Sequence, residues 1–399
     1  MTRAPEGTPL YVHLPFCAAK CPYCDFFSLP VEGQETAPVL AGLLREAEER
    51  APRHPRTVFL GGGTPSLHTC EELAQLLDRL HAITGFRDSA EEVTAECNPE
   101  SLDRDKAACL LAAGVDRLSI GFQSLRPKTL ELFGRVHSVD QSFRAFEAAR
   151  AAGYRRLSVD LIYAAPGQDL ASWAEDLQRV VALGPDHLSA YALAFERATP
   201  FAAWLADGRI ERADEELELA LFRHTHRILA EHGLTPYEVS NFSSAQQECR
   251  HNVNYWRNGT YVGIGPSAVS KVGHTRRGNP RSIGAWLEAI DARPSRPAWA
   301  ETLPPRERLG ETWWLGLRLV EGVEPARARR TAGFEGAADP AQAIARRLAA
   351  DGLLQEQDGR FRLSHRGLPL GDAVAREFLA PGQEVVLDAR PDGPPVPTG

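Results

Sequence analysis

The chain has 399 residues, and 45 basic against 53 acidic side chains give a formal net charge of −8. Because a domain has roughly 100–200 residues, this length predicts two or three domains with at least one large core. The acidic balance excludes a protein held on nucleic acid by a basic surface. No apolar run approaches the ~18 residues of a membrane span, and the first residues lack the apolar core of a secretory signal, so we expect a cytoplasmic protein.

Six short apolar runs alternate with segments of helical period in the first half of the chain. The runs predicted as strands are 11–14, 57–60, 92–96, 117–121, 157–162 and 187–193. Three of the helical segments end at Gly114, Gly153 and Gly184, which suit a left-handed cap. This alternation predicts a parallel α/β sheet, as an open doubly wound sheet or a curled partial barrel of the TIM type. In both, the chemistry belongs at the carboxyl ends of the strands.

The second half of the chain reads as an extension followed by a small domain. A helix is predicted over 214–232, strands over 237–240 and 261–268, and a polar loop leads into the block at 251–256. Prolines at 294, 297, 304 and 305 indicate a linker, after which two or three helices precede a hairpin around Asp358 and Gly359. The predicted divisions are 1–10 as a leader, 11–295, 300–380, and a disordered Pro/Gly-rich tail at 381–399.

Three of the seven cysteines form a cluster, Cys17-x3-Cys21-x2-Cys24, directly after the first predicted strand. An odd cysteine count in a chain without an export signal makes a disulfide framework a poor interpretation. A cube of four irons and four sulfides takes one ligand per iron, so three thiolates leave one iron open. A structural zinc with His13 as fourth ligand, or a two-cysteine redox pair, stays as the alternative.

Polar and glycine residues follow the other predicted strands at the same edge of the sheet. Gly61-Gly62-Gly63-Thr64 follows the second strand, Glu96 and Asn98 end the third, Gln123 follows the fourth, and Asp160 lies in the fifth. Each alone is a weak signal, since three glycines are commonly only a tight turn. Glycines allow close backbone approach to a ligand, and the carboxylates and amide accept hydrogen bonds from hydroxyl groups.

The chain resembles the radical S-adenosylmethionine (SAM) superfamily, and more closely its branch containing oxygen-independent coproporphyrinogen III oxidase and the HemW-type haem chaperones. The matching motifs are Tyr11-Val12-His13-Leu14-Pro15-Phe16-Cys17, Cys21-Pro22-Tyr23-Cys24-Asp25-Phe26, Gly61–Ser66, Glu96-Cys97-Asn98-Pro99, Ser119–Ser124, Gly134–His137, Asp160-Leu161-Ile162 and His251–Trp256. They span most of residues 11–270 in the family's order. The resemblance implies an α/β fold, a partial TIM-like (β/α)6 barrel with a small α+β, winged-helix-like C-terminal domain.

The resemblance also implies a set of cofactor residues. Cys17, Cys21 and Cys24 would hold a [4Fe-4S] cluster, and SAM would lie on the open iron. The positions carried over for SAM are Tyr11, Phe26, Gly62, Gly63, Thr64, Glu96, Gln123, Arg135 and Asp160. In the family, an electron donor reduces the cluster and the sulfonium C–S bond is cleaved to a deoxyadenosyl radical.

Three features favour the chaperone branch over the oxidase. The oxidase has a cysteine two residues after its third cluster cysteine, where this chain has Phe26; the block at 251–256 is typical of the chaperones; and only ten residues precede Tyr11. The implied role is to bind haem and pass it to haem-requiring proteins such as respiratory cytochromes, with no catalytic residue for porphyrin chemistry. His251 and Cys249 are candidate haem ligands, and the alternative for this block is a structural corner. Oxidative decarboxylation of coproporphyrinogen III remains the alternative function.

Overall fold

A computed structural model describes residues 4–292 and 294–379 of the chain. The tail predicted at 381–399 lies outside these residues, as do the first three residues of the predicted leader. The strands in chain order are β1 (Leu10–Leu14), β2 (Phe16–Cys17), β3 (Leu29–Pro30), β4 (Thr57–Gly62), β5 (Glu92–Cys97), β6 (Arg117–Gln123), β7 (Leu157–Tyr163), β8 (His187–Ala192), β9 (Thr235–Pro236), β10 (Asn241–Ser243), β11 (Val262–Ile264), β12 (Val269–Val272), β13 (Thr275–Gly278), β14 (Trp299–Thr302), β15 (Leu354–Gln357) and β16 (Arg360–Leu363).

Most of the helices connect the strands of the first half, and the last ones pack together in the C-terminal part. They are α1 (Ala37–Arg50), α2 (Cys70–Thr84), α3 (Phe86–Ser89), α4 (Arg104–Ala112), α5 (Pro127–Leu132), α6 (Val139–Ala151), α7 (Leu170–Val181), α8 (Pro200–Ala206), α9 (Glu215–Glu231), α10 (Arg250–Trp256), α11 (Ile283–Asp291), α12 (Pro305–Gly316), α13 (Pro325–Ala332), α14 (Pro340–Ala350) and α15 (Gly371–Arg376).

One sheet holds all six strands that the sequence predicts in the first half. Its order is β11-β1-β4-β5-β6-β7-β8-β10-β9, with β11 to β8 all parallel and β10 antiparallel to β8. The strands β1 and β4 to β8 lie side by side in chain order, without the reversal that defines a doubly wound sheet. Right-handed crossovers then place every connecting helix on one face. The partial barrel is therefore the correct alternative.

The strands of the barrel alternate between an apolar outer face and a polar inner face. Outer residues such as Val58, Leu118 and Val159 are fully buried against the helical layer. The alternate positions carry polar side chains: Tyr11, Thr57, Glu92, Thr94, Glu96, Arg117, Ser119, Ser158, Asp160, His187 and Ser189. TIM-type barrels commonly fill this space with branched apolar residues. In this barrel the inward positions are polar instead, and hydrogen bonds between them and with neighbouring segments fill much of the interior.

The extension differs from the sequence predictions at one predicted strand. The strand predicted at 237–240 is wrong, because these residues connect the short antiparallel strands β9 and β10. Buried Glu238 accepts there from the backbone N of Ser240 at 2.8 Å. The block at 251–256, which follows the predicted polar loop, forms helix α10. The run at 261–268 forms strand β11 and ends in a tight turn, where Gly265 has a φ of +105° and Pro266 follows it.

The C-terminal part has its own core, around Trp313, Phe361 and Phe378. Trp313 stacks on Phe378 with ring centroids 5.1 Å apart. The predicted hairpin is confirmed: β15 and β16 pair antiparallel, and Asp358 and Gly359 both have positive φ between them. Among the described residues, no helix is both long and apolar enough to cross a membrane.

Candidate functional site

The three clustered cysteines lie on the loop that leaves β1 at the carboxyl edge of the barrel. Cys17 ends β2, and a turn closed by the backbone N of Cys24 on the carbonyl O of Cys21 (3.1 Å) brings the later two together. Burial raises the thiol pKa of Cys17 and of Cys24, and Cys21 raises both further by charge repulsion. A cation bound between these thiols would stabilise their negatively charged thiolate forms and lower their pKa values. The loop therefore suits a positively charged iron centre.

Cys17, Cys21 and Cys24 are the three sulfur donors that the resemblance predicts for an iron–sulfur cluster. No group of three or more His, Cys, Asp or Glu side chains in residues 4–292 and 294–379 could hold a metal ion. A four-iron cube spreads one sulfur donor to each iron and spans more space than a single ion. Lys20 lies beside the loop, with its Nζ 4.0 Å from Sγ of Cys24 and 2.9 Å from Oγ of Ser28.

The turn formed by Gly61-Gly62-Gly63-Thr64 at the end of β4, called the glycine turn below, is hydrogen-bonded to the start of the cysteine loop. The backbone N of Gly63 donates to Leu14 O at 2.8 Å, and that of Thr64 to Phe16 O at 2.7 Å. Gly62 has a φ of +97°, which a side chain would strain. The turn therefore presents backbone groups directly beside the cysteines.

Glu96 is held at the end of β5, facing the glycine turn. Its Oε2 accepts from the backbone N of Gly62 at 3.1 Å. The pKa of this carboxyl is raised to about 7: burial raises it most, the Gly62 hydrogen bond lowers it, and the charge of Asp160 raises it. The bond to Gly62 uses only one of the two carboxyl oxygens. The other oxygen of Glu96 can accept a hydrogen bond from a ligand hydroxyl.

Three serines hold Asp160 in the barrel interior. Ser189 donates to its Oδ1 at 2.7 Å, Ser119 to its Oδ2 at 2.8 Å, and Ser158 to Oδ1 at 3.3 Å. Burial is the main cause that raises the pKa of Asp160, and these three hydrogen bonds act against it. Sequence reasoning missed the serines, although each occupies an inward position of its strand.

Arg135 joins the cysteine loop to the glycine turn. Its guanidinium donates to Sγ of Cys21 at 3.5 Å and also to Oδ1 of Asn98. Nδ2 of Asn98 in turn donates to Oγ1 of Thr64 at 2.7 Å. Nε of Arg135 is buried and has no hydrogen-bond partner. A buried donor without a partner is costly, so this nitrogen fits the carboxylate of a ligand.

Gln123 belongs to the same group of side chains. It has a φ of +65° at an irregularity where β6 pairs with β7. A Cβ placed on Gly121 would lie 2.6 Å from Nε2 of Gln123 and 3.0 Å from Oδ1 of Asn98. Glycine at 121 thus leaves room for the side-chain amides of Gln123 and Asn98. Asn98 is a site residue that the family positions alone did not supply.

Tyr11 lies on β1 at the barrel interior, and Phe26 lies on the cysteine loop that follows this strand. The hydroxyl of Tyr11 lies 3.0 Å from Nδ1 of His13, and the other nitrogen of His13 lies 2.8 Å from Phe27 O. Burial lowers the pKa of His13 to about 4. His13 is thus committed to protein partners, which disfavours the zinc alternative. Phe26 is 65% exposed at the rim of the cysteine loop.

His251 and Cys249 lie at the opposite, amino-terminal end of the barrel. Nδ1 of His251 lies 2.8 Å from Oγ1 of Thr57, its Nε2 lies 3.0 Å from the hydroxyl of Tyr255, and its side chain is buried. Burial lowers the pKa of His251 to about 3.

Glu92, at the start of β5, anchors the same segment. One of its oxygens accepts from Sγ of Cys249 at 3.4 Å and from the backbone N of His251 at 3.1 Å. Together with the two partners of the His251 ring, this favours the structural alternative weighed for the block: α10 closes the bottom of the barrel.

Comparisons with known proteins agree with this geometry. The Radical SAM superfamily matches residues 11–180 and the HemN C-terminal domain matches residues 303–370. The chain is 32% identical over 375 residues to Heme chaperone HemW of Bacillus subtilis, covering 92% of this chain and 98% of that protein. It is 35% identical over 377 residues to Heme chaperone HemW of Mycobacterium tuberculosis, covering 93% and 94%.

A mitochondrial relative and a solved structure complete the comparison. Radical S-adenosyl methionine domain-containing protein 1 of Mus musculus is 33% identical over 406 residues, covering 96% of this chain and 90% of that protein. The structure of coproporphyrinogen III oxidase (HemN) from Escherichia coli shares the fold with a TM-score of 0.79 at 24% identity, covering 94% and 90%. The chain belongs to the radical SAM superfamily, in the family of the HemW proteins, and this membership implies a [4Fe-4S] cluster and SAM.

Proposed function

We propose that this chain is a cytoplasmic haem chaperone that binds a [4Fe-4S] cluster, SAM and haem, and delivers the haem to haem-requiring proteins such as respiratory cytochromes. The observation that carries the proposal is its likeness over more than nine-tenths of its length to relatives named Heme chaperone HemW. Phe26 supports it, because the oxidase branch has a cysteine at this position.

Each residue at the carboxyl edge has a role in the proposal. Cys17, Cys21 and Cys24 hold three irons of the cluster, which when bound supplies one electron to the sulfonium of SAM. Nε of Arg135 binds the SAM carboxylate, because it is a buried donor without a partner beside the cysteine loop. Carbonyls of the glycine turn accept from the SAM amine.

The remaining positions bind the nucleoside part of SAM. Glu96 and Asp160 accept from the ribose hydroxyls, since both are interior carboxyls whose charges interact. Gln123 and the hydroxyl of Tyr11 complete the polar wall, and Phe26 covers the rim. The electron donor that reduces the cluster approaches this exposed rim.

Haem is proposed as cargo rather than as a resident cofactor. A carrier that must release its haem needs an exchangeable ligand field, and both ring nitrogens of His251 already have protein partners. Coordination by His251 or Cys249 would require α10 to leave the bottom of the barrel. We therefore expect haem binding in the folded protein to be independent of the His251 imidazole.

A single titration tests the function. Haem is added to anaerobic, cluster-loaded protein with and without SAM, and binding is followed by absorbance. Saturable one-to-one binding, followed by transfer to an apo-cytochrome, is the expected result. Absence of saturable binding would refute the chaperone.

The oxidase alternative has its own assay. The same protein is incubated with SAM, a strong reductant and coproporphyrinogen III, and the products are separated by chromatography. We expect no protoporphyrinogen IX. Its formation at enzymatic rates would replace the chaperone proposal by the oxidase function.

A further inference from the structure

Two half-buried cysteines meet on the helical layer outside the barrel. Cys70 is the first residue of α2, Cys109 lies in α4, and these two helices pack side by side. Sγ of Cys109 lies 3.5 Å from the carbonyl O of Cys70 and also contacts the Cys70 thiol. The remaining cysteines are the three of the cluster loop and the buried Cys97 and Cys249.

The contact between the two thiols brings this pair within reach of a covalent bond. Sγ of Cys109 contacts both the carbonyl O and the thiol of Cys70, so the two sulfurs are neighbours. A disulfide needs the sulfurs about 2.05 Å apart, a distance that neighbouring thiols reach by rotation of their side chains.

We propose that Cys70 and Cys109 are a reversible oxidation site that forms a disulfide with glutathione disulfide as the oxidant. The Cys70 thiolate attacks glutathione disulfide and releases one glutathione thiolate. Cys109 then loses its proton and attacks the Cys70 sulfur, which releases the second glutathione. Two protein thiols are oxidised to one disulfide, and one glutathione disulfide is reduced to two glutathiones.

The environment of Cys109 sets the order of these steps. The pKa of the Cys109 thiol is raised to about 11, first by burial and then by the hydrogen bond and the charge of the Cys70 thiol, while the charge of Lys106 lowers it. The small thiolate fraction of Cys109 makes it a poor first nucleophile, so the first attack is assigned to Cys70. Once Cys70 is in the mixed disulfide it carries no charge, so its repulsion of the Cys109 thiolate is removed.

The proposed disulfide lies on the helical layer outside the barrel and would link the helices that follow two turns of the candidate site. The helix α2 follows the turn Pro65–Leu67, and α4 follows the turn Pro99–Ser101. These turns already touch, with Oγ of Ser66 2.7 Å from Oγ of Ser101. The disulfide thus links the two βα units that carry the glycine turn and Glu96.

Peptide mapping tests the site directly. Cluster-loaded protein is equilibrated anaerobically with mixtures of glutathione and glutathione disulfide, then alkylated and digested with trypsin. Cleavage places Cys70 in peptide 57–79, Cys109 in 107–117 and Cys97 in 88–104. We expect a 57–79/107–117 cross-link, a loss of two alkylatable thiols, and reversal by dithiothreitol.

Three serine variants decide the outcome. Cys70→Ser and Cys109→Ser should each lose the cross-link, whereas Cys97→Ser should keep it with the same midpoint ratio of the two glutathione forms. Glutathione on Cys70 without a cross-link, or a cross-link of similar yield to peptide 88–104, would overturn the proposal. Full alkylation of both thiols under the most oxidising mixture would also overturn it.

Discussion

Nη1 of Arg135 lies 3.5 Å from Sγ of Cys21, so the guanidinium proposed to bind the SAM carboxylate also donates to one of the three sulfurs proposed to hold the cluster. Hydrogen bonds to ligand sulfurs and nearby charge set the potential of iron–sulfur clusters. In the proposed site, one side chain therefore couples SAM binding to the electronic state of the cluster.

Replacing Arg135 should change the cluster potential. A cation beside the ligand stabilises the more negative reduced state, so Arg135→Gln should lower the reduction potential by on the order of tens of millivolts. Arg135→Lys keeps the positive charge but loses the planar guanidinium, so its reduction potential should lie between those of the wild type and Arg135→Gln. A potentiometric titration followed by electron paramagnetic resonance measures this, with the exposed Arg144→Gln as control. An unchanged potential in Arg135→Gln would show that the contact has no electronic role.

The hydrogen bond between Asn98 and Thr64 should support SAM affinity. In Thr64→Val, the 2.7 Å bond from Nδ2 of Asn98 is lost, and the support of Arg135 weakens with it. A lost bond of about 1.4 kcal/mol corresponds to roughly tenfold weaker SAM binding, measured by calorimetry on cluster-loaded protein.

Thr94→Val is the matched control for this change. Thr94 is equally buried in the barrel interior, and its hydroxyl has no hydrogen-bond partner in the structure. Removing it should leave SAM affinity within about twofold of the wild type. Equal losses in both variants would mean that the interior in general, and not the Asn98 bond, supports binding.

The sequence predicted the parallel sheet because the outer faces of its strands are apolar. Val58, Leu118 and Val159 belong to the apolar runs that mark their strands. These runs did not distinguish an open sheet from a partial barrel, and the family resemblance favoured the barrel. The boundaries of the six predicted barrel strands differ from the structure by at most two residues.

The contacts that tertiary packing creates could not be predicted this way. The bridge from Asn98 to Arg135 joins residues 37 positions apart, and the serines around Asp160 come from three strands. His251 was ambiguous because nothing local reveals that Thr57, 194 positions away, takes one ring nitrogen. Only alternation of polar residues along the strands hinted at a polar interior.

His251→Ala should destabilise the fold without removing haem binding. The change empties a buried site and breaks two hydrogen bonds, so we expect a loss of about 2–4 kcal/mol in the free energy of unfolding. The half-exposed His54 offers a control, whose alanine variant should change stability by less than about 0.5 kcal/mol. Haem titration of the folded fraction should give wild-type spectra for both. Loss of the haem spectrum in folded His251→Ala alone would restore His251 as an iron ligand.

The raised pKa of Glu96 should appear as a pH dependence of stability. In the unfolded chain this carboxyl ionises near its ordinary pKa of 4.5, whereas burial keeps it protonated in the folded protein up to about 7. Between these values the folded state binds more protons, so stability falls as pH rises and levels off above pH 7. Glu96→Gln lacks this group, so between pH 4.5 and pH 7 its free energy of unfolding should rise relative to that of the wild type by about 3 kcal/mol, with the exposed Glu35→Gln as control.

SAM binding should favour the wild type over Glu96→Gln, opposite to the difference in stability, because the ionised form of Glu96 is the better acceptor for ribose hydroxyls. Wild-type SAM affinity should therefore rise more steeply between pH 6 and pH 8 than that of Glu96→Gln, which should also bind SAM more weakly. Calorimetry at several pH values in two buffers also counts the protons released on binding, and near pH 6 the wild type should release about one more proton than the variant, since the SAM amine contributes equally to both. Proton release of the same size in both proteins would assign the pH dependence to another group and remove Glu96 from the ribose site.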